Sequence, residues 1–581
     1  MEVGIIRILD PREFQMLLRL VRTLRFLQTR QVVARVKGRL RSLWLSPECF
    51  SKREVPACPG PKWREGREFL PPGPSGNSRV REALLGGEFR FLNQTHKTGW
   101  PPDWEANGPS RLWLYNLHYF DWIWPLSYEE GRVAAQDWIA RHDLRKGRVG
   151  WEPYPVSLRL MNWCGFFFGR HATQIKADPG FRDLLWRSLF GQAEWLSCHL
   201  ETHLLANHFL ENGAALTFAE TCFEGVAGER WRRMGLEILR EQIPEQILPD
   251  GMHFERSPMY HCRMVYLFLL LAQTGDAEVQ AQVLKPLERM LRALRRLYHP
   301  DGQIALFNDS AFGIYNDPAE LLAVGEAFLK SAGLSSGDSA GTPEPAVWAL
   351  PDAGYYGGGS PDGENYLICD AGPIGPDYNA GHAHGDLLSF ELTFRGHRVV
   401  VDAGVYDYET GEMRQYARST AAHNTVELEG LDQCEFWGGF RVARRAHPRD
   451  VAWTPETEGF HLEAWHDGYE RLPGCPRHRR VFDWQAPGRL EVQDRIEGGE
   501  NMRAVSRIHL HPDCRVEKRE GLEAWVAFPG GRVRFSFQGQ GCLTLKKSWY
   551  CPEFGIRIEN ACLSYEAVPG ERQFAFELKL L

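Results

Sequence analysis

Two histidines one residue apart, His382 and His384, lie in the segment Asn379-Ala-Gly-His-Ala-His-Gly-Asp386, and Asp402 and His423 follow. His and Asp are ligand types for zinc or a similar divalent metal. Three of these four residues would hold an ion and leave one histidine for acid–base chemistry. A second polar cluster lies upstream. Asn207-His208-Phe-Leu-Glu211 places Asn207 and Glu211 at i,i+4 and His208 and Glu211 at i,i+3, neighbours on one helical face. Further on, Phe254-Glu-Arg-Ser-Pro-Met-Tyr260-His261 reads as a helix start, with Ser257 as its cap and Pro258 in the first turn. Tyr260 would then sit at the positive end of the helix dipole, which favours a phenolate able to act as general base. Taken singly, each group is more simply a satisfied loop or helix-end network. Their combination points to an enzyme site formed where two domains meet.

Those residues need elements to position them, and 581 residues are too many for one core, so two or three domains are expected. Residues 1–54 form a basic segment in which Asp10-Pro11-Arg12-Glu13 resembles a capped helix start. Phe14, Leu17, Leu18, Val21 and Leu24 then recur at helical spacing. Residues 55–110, rich in Pro, Gly and charge, read as an irregular connector. From 111 to 334 the period is helical, with helices expected over 181–201, 207–223, 229–248 and 259–274, an all-α domain of paired helices. A small polar linker, 335–345, precedes a change to period two over 346–581. Alternation at 389–394, 398–402, 489–493 and 532–537 marks an antiparallel β domain, expected to be a sandwich. Arg395-Gly396 reads as a tight turn that sets Asp402 opposite a residue near Phe390. The Gly381–Gly385 stretch must therefore fold back to bring a histidine to Asp402, and its glycines make that bend inexpensive.

Composition narrows the function classes. The net charge of −7 argues against general nucleic-acid binding. Thirteen cysteines without metal-type pairing fit reduced, mostly buried thiols. Ten of the 20 tryptophans fall between Trp100 and Trp195; most are expected in the core, with a minority free to stack on sugar rings. No apolar run is long enough to cross a membrane. The N-terminal apolar stretches are broken by arginines and no small-residue cleavage site follows, so a cytoplasmic or membrane-peripheral location is expected over a periplasmic one. Residues 1–50 carry ten Lys+Arg against four Asp+Glu, a local charge of +6 that leaves −13 on the remainder. A helix over residues 10–30 therefore has two readings: packing against the next domain, or peripheral contact with an anionic membrane surface.

Five segments together resemble the heparinase II/III family of polysaccharide lyases. They are Asn207-His-Phe-Leu-Glu-Asn-Gly213, Glu245-Gln-Ile-Leu-Pro-Asp-Gly251, Phe254-Glu-Arg-Ser-Pro-Met-Tyr-His261, Gly381-His-Ala-His-Gly-Asp-Leu-Leu-Ser-Phe390 and Arg418-Ser-Thr-Ala-Ala-His-Asn-Thr425. The resemblance covers residues 110–450 and implies a helical (α/α) incomplete toroid followed by an antiparallel β-sandwich. It also implies β-elimination of a uronic-acid-containing polysaccharide, heparan-sulfate-like, alginate-like or an exopolysaccharide. Asn207 and His208 would neutralise the uronate carboxylate, Tyr260 would transfer a proton, and His382 would be the second acid–base group. His384, Asp402 and His423 would hold a metal, zinc by ligand type and structural in role. Glu211, Arg256 and Arg418 stand as candidate substrate contacts. Tyr260 alone would serve syn elimination; His382 as base with Tyr260 as acid would serve anti elimination. Two rivals remain: a glycoside hydrolase on an α/α toroid with Glu211 and Glu255 as paired carboxylates, and a non-catalytic glycan-binding protein of exopolysaccharide assembly.

Overall fold

In the computed structural model, helices run up to Ser331 and antiparallel strands from Val347 onward; it describes residues 10–44, 55, 61–63, 66–73, 78–142, 148–334 and 347–581. The fold is an incomplete α/α toroid followed by an antiparallel β-sandwich. The expected helices fall at Pro179–Cys198, Ala206–Glu220, Val226–Gln246 and Pro258–Gln273. Each of the last two packs against a neighbour in sequence, Val226–Gln246 on Ala206–Glu220 and Pro258–Gln273 on Ala277–Leu294. Pro258–Gln273 is mostly apolar, and all but its last residue are buried, which suits an inner helix of a layered domain. The aromatic run 100–195 supplies the toroid core. Trp113, Trp138 and Trp163 are among the largest fully buried side chains, and Trp122, Trp124, Trp186 and Trp195 are buried with them. Most of these tryptophans are thus core residues, packed on rings such as Phe120, Phe166 and Phe223, while Trp100 is partly buried.

The β region holds an eight-stranded, a four-stranded and a five-stranded sheet. Strict alternation on Arg477–Gln485 turns His478, Arg480, Phe482 and Trp484 inward, and the facing residues Phe390 and Phe576 close one core. Strands Phe390–Phe394 and His397–Val400 pair antiparallel about Arg395-Gly396, with Leu392 opposite Val400. That register carries Asp402 toward Phe390, as the turn requires.

Two features differ from the sequence reading, the order within 78–97 and a second helix at the N-terminus. Residues 78–97 are regular, a helix Ser78–Leu85 and a hairpin Glu88–Phe91 with Gln94–Lys97, where a connector was expected. Leu92 and Asn93 take positive φ (54° and 57°) at its tip, a two-residue turn that the composition of 55–110 conceals. The linker 335–345 lies outside the described residues. At the N-terminus two helices form, α1 (Pro11–Leu24) and α2 (Thr29–Trp44). Asp10 and Glu13 make the reciprocal cap at the start of α1, with Glu13 N donating to Asp10 Oδ1 at 2.8 Å and Asp10 N to Glu13 Oε2 at 3.2 Å.

Candidate active site

The site is built at the joint between toroid and sandwich. Ser257 caps Pro258–Gln273, accepting from Tyr260 N at 3.2 Å, and its hydroxyl donates to Asp309 O at 2.7 Å. One residue thus fixes both a helix start and the 308–310 segment. Tyr260 projects from the first turn, its ring centre 4.2 Å from that of His382 and its hydroxyl 3.2 Å from Tyr408 Oη. Burial first, then the neighbouring Tyr408 and Tyr315, push the Tyr260 phenol well above its usual value of 10. The helix start is where it was expected, but the phenolate is not: lost solvation outweighs the dipole, and the group rests as a proton donor.

His382 is held from below. Its Nδ1 lies 2.8 Å from Asp309 Oδ2, and its Nε2 faces Glu255 Oε2 at 3.7 Å. Asp309 is fully buried and also meets His384 Nε2 with Oδ1 at 2.8 Å and both terminal nitrogens of Arg414, Nη2 at 2.9 Å from Oδ2. Burial alone would raise this carboxyl. Arg414 and the two histidines overcome it and hold it well below the usual range, so it stays ionised. Arg414 lies over the Tyr408 and Phe440 rings, 4.9 and 5.2 Å from their centres. Nothing in the sequence reading singled out Asp309, Tyr408 or Arg414. A polar Asn308-Asp309-Ser310 directly after an apolar run was the available signal for Asp309. For the other two only proximity to Asp402 and His423 could have served.

Asn207 is buried at the start of Ala206–Glu220, with Oδ1 accepting from His208 N at 2.9 Å and its own backbone N directed at Glu255 Oε1, 3.3 Å. His208 is partly exposed and stacks near Tyr154. It pairs through Nδ1 with Glu201 Oε1 at 3.0 Å, and this raises its pKa against the opposing effect of burial. Glu255 is buried, its carboxyl is pushed up by burial, and Oε2 has no hydrogen-bond partner.

Three of the candidate substrate contacts are committed elsewhere. Glu211 is fully buried and locked to Arg263, with Nε at 2.6 Å and Nη2 at 3.0 Å. The i,i+3 spacing to His208 is real, but the deep side of the helix claims the carboxylate. Arg256 spends its donors on the carbonyls of Ala353, Phe254 and Asp352, tying toroid to sandwich. Arg418 is buried and donates to Ala383 O at 3.0 Å and to Gly438 O and Gly439 O. It braces the histidine loop, and its Nη2 is buried without a hydrogen-bond partner.

His384, Asp402 and His423 are fully buried, with one potential ligand atom from each within 4.8 Å of the others. His423 Nδ1 lies 2.8 Å from Asp402 Oδ2. His384 Nδ1 and His423 Nε2 are buried without partners, while His384 Nε2 is taken by Asp309. Burial pushes the His384 imidazole down to about 4, so it is neutral at neutral pH, as a ligand must be. Orphaned imidazole nitrogens beside a carboxylate, one ring oriented by a second carboxylate, fit a divalent metal. Gly385 has a different reason from the bend expected of it. Its φ is ordinary, but a Cβ there would meet Thr420 Oγ1 at 2.7 Å, so the loop needs glycine to lie against the His423 segment.

Comparison with known proteins agrees with this architecture. Residues 112–320 match the heparinase II/III N-terminus and residues 342–577 the heparinase II/III-like C-terminal domain. The chain is 27% identical over 323 residues to a heparin-sulfate lyase of Pedobacter heparinus, covering 51% of this chain and 48% of that protein, about half its length. It is 25% identical over 486 residues to a heparin-sulfate lyase of Bacteroides stercoris, covering 78% and 68%. The solved structure of a heparinase III superposes with a TM-score of 0.72 at 15% identity, covering 92% of this chain and 88% of that one, which speaks to the fold. With both of its domains matched in order, the chain belongs to the heparinase II/III family.

Proposed function

We propose that the protein is a polysaccharide lyase that cleaves a uronic-acid-containing polysaccharide by β-elimination, leaving a 4,5-unsaturated uronate. The observation that carries this is the Tyr260–His382 pair, ring centres 4.2 Å apart, with His382 fixed through Nδ1 on an ionised Asp309. Removing the C5 proton of a uronate builds charge on its carboxylate, so donors must face that group. Asn207 and His208 are suited to this, one an amide whose Oδ1 is already used and the other a histidine whose pKa is raised by Glu201 against the effect of burial. With Nδ1 bound to Asp309, His382 presents Nε2 as the base. Tyr260, its phenol held protonated by burial, then protonates the leaving glycosidic oxygen. This favours the anti assignment, since syn elimination by Tyr260 alone needs a phenolate that the site opposes.

His384, Asp402 and His423 are proposed to hold a structural zinc. When bound, such an ion would tie the 381–385 loop to the 402 and 423 segments and contribute folding free energy. The hydrolase reading loses its second carboxylate, because Glu211 is bound to Arg263. Assay of the purified protein on heparan sulfate, hyaluronan, alginate and bacterial exopolysaccharides tests the proposal. A near-UV-absorbing unsaturated product is expected, and new reducing ends without that absorbance would refute elimination.

A further inference from the structure

The N-terminal helices pack with their polar sides inward. On α1, Arg19 and Arg22 bind Glu435, and Thr23 bonds Val442 O and Trp437 Nε1. On α2, Arg30 meets Glu241 and Glu245, and Gln31 reaches Leu204 O and Tyr378 O. The hairpin is thereby strapped across both the toroid and the sandwich. Its apolar side is left outside. Phe14, Met16, Leu17, Leu20, Val21 and Leu24 are 38–62% exposed, and at about 3.6 residues per turn they fall on one side of α1, away from Arg19 and Arg22. Val32, Val33, Val36 and Leu40 form an exposed stripe on α2, flanked by exposed Arg35 on one edge and Lys37 on the other. An apolar face of this extent marks a contact surface.

We infer that α1 and α2 form a docking surface for an anionic lipid bilayer, the apolar stripe entering the headgroup boundary and the flanking cations meeting lipid phosphates. Charge selects this occupant. Arg19, Arg22 and Arg30 are paired with Glu435, Glu241 and Glu245, while Arg35 and Lys37 stay exposed beside the apolar stripe, so a second copy seated symmetrically on this face would bring cations against cations. An anionic bilayer satisfies both the apolar stripe and its basic borders. Among the described residues no helix is long and apolar enough to cross a membrane, so the contact would be peripheral. The strap also grips the Phe436–Trp437 and Arg441–Val442 strand pair, whose Gly439 carbonyl binds Arg414 and Arg418. Docking would therefore orient the site relative to the lipid surface.

Flotation of the full-length protein with vesicles tests this. The wild type should float with phosphatidylcholine vesicles containing about a third phosphatidylglycerol, and not with phosphatidylcholine alone. Leu17→Ser/Val21→Ser should bind about tenfold or more weakly, with an unchanged thermal transition because both side chains face solvent. Arg35→Glu/Lys37→Glu should weaken binding and flatten its dependence on salt. Failure of the folded wild type to float with anionic vesicles would overturn the inference. So would serine variants that float like wild type, or sedimentation showing a dimer lost in those variants and no vesicle binding.

Discussion

His382 and His384 are one residue apart and share one carboxylate, yet the fold treats them oppositely. Asp309 Oδ2 takes His382 Nδ1 and Oδ1 takes His384 Nε2, both at 2.8 Å. The His382 side chain keeps 15% of its surface and turns its other nitrogen to Glu255 beside Tyr260. The His384 side chain keeps none and turns its other nitrogen to Asp402 and His423. Gly381 and His382 lie in a turn, so the two side chains share the Asp309 anchor while the segments behind them decide what each remaining nitrogen meets. The lesson is that the two histidines differ in second contacts, not in residue type, and the proposed division into ligand and catalyst rests on that difference.

Breaking the shared anchor should have the largest effect. Asp309→Asn removes the charge that Arg414 and both histidines depend on, and leaves Arg414 buried without its counter-ion. A loss of about 3–5 kcal/mol in stability is expected, together with loss of turnover and of bound metal. Chemical denaturation, product absorbance and elemental analysis would all respond; a stable variant with normal metal content would deny Asp309 this role.

Next come changes that separate the two histidines. Tyr260→Phe and His382→Ala should each lower elimination by roughly two orders of magnitude or more, with little change in metal content or melting temperature. His423→Ala should lose metal and about 3 kcal/mol of stability at saturating metal. If His382→Ala released metal as His423→Ala does, the division of labour proposed for the pair would fall. If Tyr260→Phe retained near-wild-type elimination on a confirmed substrate, the proton-transfer assignment would be wrong.

The smallest expected effect concerns a histidine outside both clusters. His447 lies between Asp377 (Nε2 to Oδ1, 3.4 Å) and Asp467, and these carboxylates raise its pKa to about 9. Because the folded value lies above the usual 6.5, the stabilisation is full below that pH and fades as pH rises through about 9. The side chain is about a third exposed, so solvent screening limits the contribution to about 1 kcal/mol. His447→Ala should therefore destabilise the protein at pH 6 and make little difference at pH 10, which paired denaturation curves would show.

Much of this protein was legible in the order of its residues. Helical period gave way to alternation at the boundary between the two folds, Ser257-Pro258 marked a helix start, and the Arg395-Gly396 turn fixed where Asp402 lies. His382, His384, Asp402 and His423 stood out because few residue types can ligate a metal; the family resemblance implied His384, Asp402 and His423 as the ligands, and the fold brings those three together. Local pattern misled where a side chain had two possible neighbours. Glu211 shares a helical face with His208 by spacing, but Arg263 from another helix claims it. Arg256 and Arg418, candidate substrate contacts by sequence, hold backbone carbonyls at the domain joint and the histidine loop. Tyr260 was placed correctly, and its protonation was misjudged because the dipole of a first turn is local while burial is set by the whole domain. Sequence by itself therefore determined the elements and the chemical types available. The tertiary structure decided which groups are desolvated and which are paired, because Asp309, Tyr408 and Arg414 come from segments distant in the chain and meet only when toroid and sandwich close on each other.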